Sequence, residues 1–469
     1  MNEPRMLING ELVAGSRALP VVNPATEEVF LHVAGADAAQ VGAAVDAAAD
    51  AFPAWAALPV HERRKALAAI SERAMRHAEE LAELLVKEQG KPLAIARIEV
   101  AMLAGFFRFY AEMEIPERVV AEADGQRVVT RRRPLGVVAA IVPWNMPVAM
   151  LGGKLPAALL VGNTVVVKPA GTTPAATLRF GELVRDLLPP GVLNIVADAN
   201  DLGDVLTTHP RVRKVSFTGS TATGRRVMAA VADDLKRLTL ELGGNDAGIV
   251  LDDVDVAAAA PGIFGGAFFN SGQICVALKR LYVHESVYEP MVEALAAIAR
   301  EAVVGDGFAD GVTVGPIQNR AQYERVLDYL AVARADGRVV AGGEPEPGPG
   351  WFVRPTVVAD VTDGSRLVDE EQFGPILPVV KYRDLDEVIP RINRSDFGLG
   401  GSVWSADPRR AADVAARLEC GTVWINQHGM LAPHVPFGGA KHSGVGTEFA
   451  AEGLEEMSQL QVINAVPVR

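Results

Sequence analysis

The chain is predicted to fold as an α/β protein with two doubly wound domains and a small β segment beside them. Three observations carry that reading. Short β-branched runs alternate with helical stretches from about residue 136 onward, the pattern of buried parallel strands joined by helices. The same rhythm restarts after Gly243-Gly244. The 469 residues also exceed the roughly 250–300 at which a single hydrophobic core stops growing.

The elements follow in order. Met6 to Phe30 sets short apolar runs between Asn9-Gly10 and Asn23-Pro24, turn dipeptides that predict small strands or hairpins. Helical text occupies Asp37 to about Tyr110. Asp37 is a cap before an alanine-rich segment, and Val60 to Glu88 is amphipathic until Gly90 and Pro92 end it. Arg127 to Arg133 reads as a strand too charged for a core, an exposed or interface edge. Buried strands are predicted over Gly136–Val142, Thr164–Val167, Val192–Val196, Val215–Thr218 and Leu238–Leu240, with helices between them. One of those helices takes Thr172-Thr173 as its cap, just ahead of Pro174. Beyond Gly244 come strands at Ala247–Leu251, Ile376–Val380 and Thr422–Ile425, a helix running through Phe269, and a surface loop over Gly342–Gly350.

Composition narrows the function. A hydrophobic share of 49% with 22% charged residues is ordinary for a globular protein. The formal net charge of -13 speaks against a phosphate-seeking surface and so against nucleic acid as a partner. Two cysteines far apart, Cys275 and Cys420, give no disulfide framework and fit a reducing compartment. Met1 leads straight into polar Asn2-Glu3-Pro4-Arg5, and no apolar run is long enough for a membrane span, so a cytoplasmic protein without a membrane partner is expected. The eight histidines show no metal-ligand spacing, and no metal is expected. His428 and His434 read as polar loop residues, and Cys420 as a structural thiol.

Chemistry concentrates in a few segments. Phe268-Phe269-Asn270-Ser271-Gly272-Gln273-Ile274-Cys275 places a lone thiol on a small polar loop, 34 positions after Glu241-Leu242-Gly243-Gly244. An ordinary thiol of pKa ~8.5 is only a few per cent thiolate at pH 7, so a nucleophilic cysteine needs help. Glu241 at a strand end is a suitable base. Pro143-Trp144-Asn145-Met146-Pro147 follows another strand, and its prolines fix where the Asn145 amide points, as an oxyanion donor requires. A structural turn asparagine would look the same. Lys168 ends an apolar strand, where open sheets bind ligands, and either holds a ribose or phosphate or simply reaches solvent. Lys214 to Gly224 reads strand, glycine turn, helix start, a cradle for phosphate or plain helix capping.

Taken together these segments resemble the aldehyde dehydrogenase superfamily. The order Pro143–Pro147, Lys168-Pro169, Phe217–Gly224, Glu241–Gly244, Gly272–Cys275, Glu371-Gln372-Phe373-Gly374-Pro375 and Pro436–Gly439 spans nearly the whole chain. The resemblance implies a Rossmann-like dinucleotide-binding domain over residues 1–118 and 135–243 and a catalytic domain over 244–442. It implies oligomerisation strands over 119–134 and 455–469, hence a homodimer or homotetramer. NAD or NADP would be the cofactor and a small-molecule aldehyde the substrate, oxidised to the acid through a thioester on Cys275. Glu241 would be the deacylation base, Asn145 with the Cys275 N–H the oxyanion hole, and Lys154 with Glu448 a proton-relay pair. Trp144, Lys168, Gly219, Ser220, Leu242, Glu371 and Phe373 would hold the cofactor. Met102, Met146, Met150, Gly153, Ile274, Val276, Leu431 and Phe437 would line a roomy apolar pocket for medium-chain or aromatic aldehydes, with Gly153 standing where relatives often carry an aromatic. Many relatives also carry a glutamate shortly after the Lys-Pro motif that binds ribose hydroxyls. Gly171 stands here instead, so tolerance of NADP is expected, its 2′-phosphate pairing with Lys168. Two rivals are a catalytically silent binding protein on the same fold and transfer of the acyl group to coenzyme A, the latter opposed by Glu241.

Overall fold

The computed structural model describes residues 3–123 and 126–466. Met1 and Asn2, and the Pro467-Val468 end of the expected C-terminal strand, lie outside the described residues.

Two mostly parallel sheets share a doubly wound plan. The first runs in the order Glu11–Val13, Met6–Ile8, Leu193–Ile195, Thr164–Lys168, Val137–Ile141, Val212–Thr218, Arg237–Glu241, Gly444–Val445. Its five central strands are parallel, Met6–Ile8 and Gly444–Val445 pair antiparallel with them, and Glu11–Val13 pairs antiparallel with Met6–Ile8. The second runs Arg338–Ala341, Thr356–Val361, Ile376–Tyr382, Leu278–His284, Asp246–Val250, Gly400–Trp404, Thr422–Ile425, parallel except at the Arg338–Ala341 edge. In each sheet the strand order reverses beside the first parallel strand. Such switch points leave a crevice outside the carboxyl ends of the strands. Pro143-Trp144-Asn145 and Thr218-Gly219-Ser220 leave from the two strands flanking the first crevice.

The sequence pattern explains most elements. Val137–Ile141 and Thr164–Lys168 are buried along their whole length, as short, largely apolar runs covered on both faces should be. Asn9 and Gly10 both take positive φ, +52° and +79°, the geometry of a tight two-residue hairpin turn. Asp37 caps Ala38–Ala57 and shares a reciprocal capping box with Gln40.

Two expectations about helices change. The stretch from Val60 is two helices, Val60–Arg76 and Ala78–Gln89, interrupted at His77. Thr172 and Thr173 do not cap the helix Ala175–Val184, and their hydroxyls have no hydrogen-bond partner. The Ala175 and Ala176 N–H groups donate instead to the Glu88 carboxylate, at 2.7 and 3.0 Å. A cap supplied from a helix 87 positions earlier has no local signature in the sequence.

Arg118–Ala123, Gln126–Pro134 and Ser458–Ala465 form a separate antiparallel sheet. It leaves Val120 and Val462 more than half exposed. Among the described residues no helix is long and apolar enough to cross a membrane.

Candidate active site

The thiol loop begins where the helix Val256–Phe268 ends. Asn270, Ser271 and Gly272 then all take positive φ, at +50°, +59° and +70°. Three left-handed residues in succession turn the chain sharply back. A Cβ on Gly272 would lie 2.3 Å from the Gly374 carbonyl oxygen, so only glycine fits. Side chains then pin the loop. Ser271 Oγ donates to Gly315 O at 2.8 Å, Gln273 Nε2 donates to Asn270 O at 3.1 Å, and Gln318 N donates to Gln273 Oε1 at 2.9 Å. Cys275, partly buried, is the outcome of that turn.

Asn145 meets this loop from the first sheet. Its Nδ2 donates to Gln273 O at 2.8 Å, which leaves a second N–H on the same amide. Its own carbonyl accepts from Lys91 Nζ at 2.8 Å and Asn270 Nδ2 at 3.1 Å. Lys91 is fully buried and paired with Glu99, whose other oxygen accepts from Val148 N at 2.8 Å and Ala149 N at 3.1 Å. The start of the helix Pro147–Val161 and the Asn145 carbonyl are thus held by one buried ion pair. The Cys275 N–H has no acceptor among the described residues.

Glu241 ends its strand beside the thiol. It is 3% exposed, and neither carboxylate oxygen meets a partner in ordinary hydrogen-bond geometry, although the Cys275 thiol faces it closely enough to act on it. Burial pushes the Glu241 carboxyl up to about 8, partly opposed by the thiol. Burial, then the adjacent Glu241, pushes the Cys275 thiol well above its ordinary value. Lys279 works the other way. Its Nζ donates to Ile274 O at 2.7 Å and Cys275 O at 3.0 Å, and lies 3.8 Å from Glu371 Oε1. Four residues beyond the thiol, Lys279 was visible in the sequence as a nearby cation but drew no role there. Behind Glu241, Lys154 Nζ bonds Glu448 Oε1 at 2.6 Å and Ser216 Oγ at 3.1 Å, so the expected pair is in contact.

The crevice next to the thiol fits a dinucleotide on its own chemistry. Ser220 caps the helix Thr221–Val231, whose first turn offers backbone N–H groups to an anion. The Thr218 hydroxyl is buried with no partner. Gly219 N donates to Glu241 O at 3.1 Å, and Leu242 packs so closely on Gly224 that a Cβ there would sit 2.4 Å from it. Glu371 lies over the Gly243-Gly244 turn, accepting from Gly244 N at 3.0 Å, and a Cβ on Gly243 would strike its carboxylate at 2.3 Å. Trp144 and Phe373 meet edge to face at 5.4 Å between centroids. Lys168, by contrast with the expected open lysine, is buried and paired with Asp198 at 2.6 Å.

The expected substrate-pocket residues share one apolar cluster with Cys275. Met146, Met150, Val276 and Phe437 are buried in it, and Met102, Ile274 and Leu431 pack against it. Gly153 departs from expectation. The space beside it is filled, since a Cβ there would lie 2.8 Å from the Phe449 ring and 3.3 Å from Glu448 Oε2. Phe449 takes φ +68° and stacks on Phe437 at 5.7 Å. The space beside Gly153 is aromatic after all, filled by a residue 296 positions away in sequence that no local motif marks. His428 lies in a loop, as read, but is not exposed there. It is buried between Ser402 Oγ and Val276 O, each 2.9 Å from a ring nitrogen, and burial pushes its pKa down to about 3. A neutral His428 ties the residue after the thiol to the second sheet. His434 is exposed, as expected.

Comparison with known proteins agrees with this geometry. The model of the aldehyde dehydrogenase family matches residues 12–463. A phenylacetaldehyde dehydrogenase of Pseudomonas fluorescens is 40% identical, over 96% of this chain and 93% of its own length. An NADP(+) succinate-semialdehyde dehydrogenase of Escherichia coli (strain K12) is 39% identical, over 97% and 96%. The NAD+ complex of an aldehyde dehydrogenase from Bacillus cereus superposes with a TM-score of 0.96 at 37% identity, covering 99% of this chain and 97% of that one. The chain belongs to the aldehyde dehydrogenase family, oxidoreductases that oxidise aldehydes with NAD or NADP.

Proposed function

We propose that this enzyme oxidises uncharged, apolar aldehydes, medium-chain or aromatic, to their acids by covalent catalysis on Cys275. The observation that carries the reading is a buried Glu241 carboxylate with both oxygens unpartnered, facing the partly buried thiol. The thiol proton passes to Glu241 as sulfur adds to the carbonyl carbon. The second N–H of Asn145 and the Cys275 N–H donate to the developing oxyanion. When bound, a nicotinamide supplies the acceptor for the aldehydic hydride. Its loss leaves a thioester on Cys275. Once its first proton has left along Lys154 and Glu448, Glu241 takes a proton from water, the hydroxide adds to the thioester, the C–S bond breaks to return the Cys275 thiolate, and the acid departs. Lys154 and Glu448 hold a proton path behind Glu241.

For the cofactor, we assign Gly219, Ser220 and the following helix start to the pyrophosphate, and Lys168 to the adenosine ribose. Glu371 takes the nicotinamide ribose, Phe373 and Trp144 the ring, and Leu242 the packing between them. The domain limits follow the same reading: 1–118 with 135–243 for the dinucleotide, and 244–442 for the thiol. Segments 119–134 and 455–469 join subunits in a homodimer or homotetramer, which the exposed Val120 and Val462 support. Two free cysteines support a cytoplasmic setting.

The substrate assignment rests on the apolar cluster and on the aromatic wall of Phe437 and Phe449. An aldehyde panel run with both cofactors and followed by absorbance of the reduced form tests it. Higher kcat/KM for phenylacetaldehyde or hexanal than for succinate semialdehyde is expected, and the reverse order overturns it. Free acid as the product, with no acyl thioester when coenzyme A is added, separates hydrolysis from acyl transfer.

A further inference from the structure

Resting on the dinucleotide reading above, we infer that Asp198 is the residue that selects NAD over NADP, replacing from the third parallel strand a carboxylate absent beside Lys168. In doubly wound sheets the adenosine ribose is read at the carboxyl end of the second strand, where an acidic side chain bonds the 2′-hydroxyl or a basic one takes the 2′-phosphate. The second parallel strand here is Thr164–Lys168, and it ends on a lysine. Taken by itself that lysine invites a phosphate. The neighbouring strand, Leu193–Ile195, changes the balance. Three residues past its end Asp198 returns to Lys168, Oδ1 to Nζ 2.6 Å, with both side chains buried (2% and 8% exposed).

The pair is built in. Asp198 Oδ2 accepts from Leu202 N at 2.8 Å, which fixes the carboxylate. Asn200, in the left-handed region at φ +64°, accepts from Gly171 N at 3.0 Å and approaches Lys168 Nζ at 3.4 Å. A Cβ at Gly171 would lie 2.6 Å from the Asp198 carbonyl oxygen. The two positions exclude one another: the 198–200 turn occupies the room a side chain at 171 would need. Arg17, which also feels Asp198, is held at 2.8 Å through two nitrogens by Asp201. Each of these cations therefore already has a carboxylate.

The consequence for the cofactor is one of charge. A ribose 2′-hydroxyl can donate to an Asp198 oxygen and accept from Lys168 without disturbing the pair. A 2′-phosphate, with about −1.5 to −2 charges at pH 7, must share Lys168 with a fixed anion or expel that anion into a buried, unpaired state.

Titration of the full-length protein with NADH and with NADPH, followed by nicotinamide fluorescence, tests the assignment without turnover. Wild type is expected to bind NADH at least about 100-fold more tightly than NADPH. Asp198→Asn keeps the shape, removes the charge and frees Lys168. It is expected to bring the ratio below about 10, by tightening NADPH and weakening NADH together. A wild-type ratio near one or in favour of NADPH overturns the inference whether or not the variant folds. An unchanged ratio in folded Asp198→Asn, checked by circular dichroism, overturns it as well. Binding of neither dinucleotide would remove the underlying reading too, and is distinguishable from both.

Discussion

Replacing Glu241 by glutamine removes one ionisable group and little volume, and its effect follows from burial. With a carboxyl lifted to about 8, roughly one-tenth of Glu241 is ionised at pH 7 and roughly nine-tenths at pH 9. If water activation by the ionised form limits turnover, the wild-type rate should rise nearly tenfold between those two pH values. Glu241→Gln should lose that rise, and its steady-state rate should fall by about 10²–10⁴. Stopped-flow absorbance should still record a burst of reduced cofactor approaching one per active site, slower than in wild type because the thiol has lost its proton acceptor, followed by a stall at the acyl-enzyme. The same shift has a stability signature of known sign. A carboxyl raised on folding contributes its full stability below its ordinary pKa and loses it as pH climbs through about 8. Glutamine carries no such loss, so the variant should melt above wild type at pH 9 and show a smaller difference at pH 6. Normal turnover in Glu241→Gln, or a wild-type rate that falls between pH 7 and 9, would refute the assignment of the base.

Three other substitutions probe the surrounding parts. Cys275→Ala should abolish turnover while leaving NADH fluorescence titration intact; residual dehydrogenase activity would exclude the thiol as nucleophile. Asn145→Ala should lower kcat by about 10²–10³ with little change in KM, the usual effect of deleting one oxyanion donor. A change confined to KM would argue that Asn145 only shapes the loop. Lys279→Met strips two carbonyl bonds and a buried positive charge from the thiol loop. Its Cys275 should alkylate with iodoacetamide along a profile shifted to higher pH, and an unshifted profile would show that Lys279 does not act on the thiol.

How much was legible in the sequence depended on whether the signal was local. The strands of the first sheet were, because Val137–Ile141 and Thr164–Lys168 are short apolar runs buried on both faces, whereas Leu278–His284, Thr356–Val361 and Gly400–Trp404 of the second sheet were not read. Cys275 was legible because its polar, glycine-bearing loop is an unusual setting for a lone thiol. Asp37 and its capping box were written within four residues. What escaped came from afar. Glu88 caps a helix whose own threonines were the obvious candidates, and Lys91 grips the Asn145 carbonyl across 54 positions. His428 is the loop residue it was read as, but its burial between Ser402 and Val276 left no local sign. Asp198 stood at a strand's carboxyl end, a position with a known tendency to meet ligands, so a signal existed there and went unused. In each case the deciding contact is set by topology, which periodicity does not encode.

The close fit of Gly153 against Phe449 means these two positions are inherited as one decision. Enlarging residue 153 alone drives new atoms into an aromatic ring with no vacant volume to receive it. Trimming residue 449 alone opens a void next to Glu448, whose second oxygen already lacks a partner. A library that samples either site singly will therefore record mostly losses. Varied jointly, with bulk moved from one wall to the other, the pair offers a route to reshape chain-length preference while the thiol loop keeps its geometry.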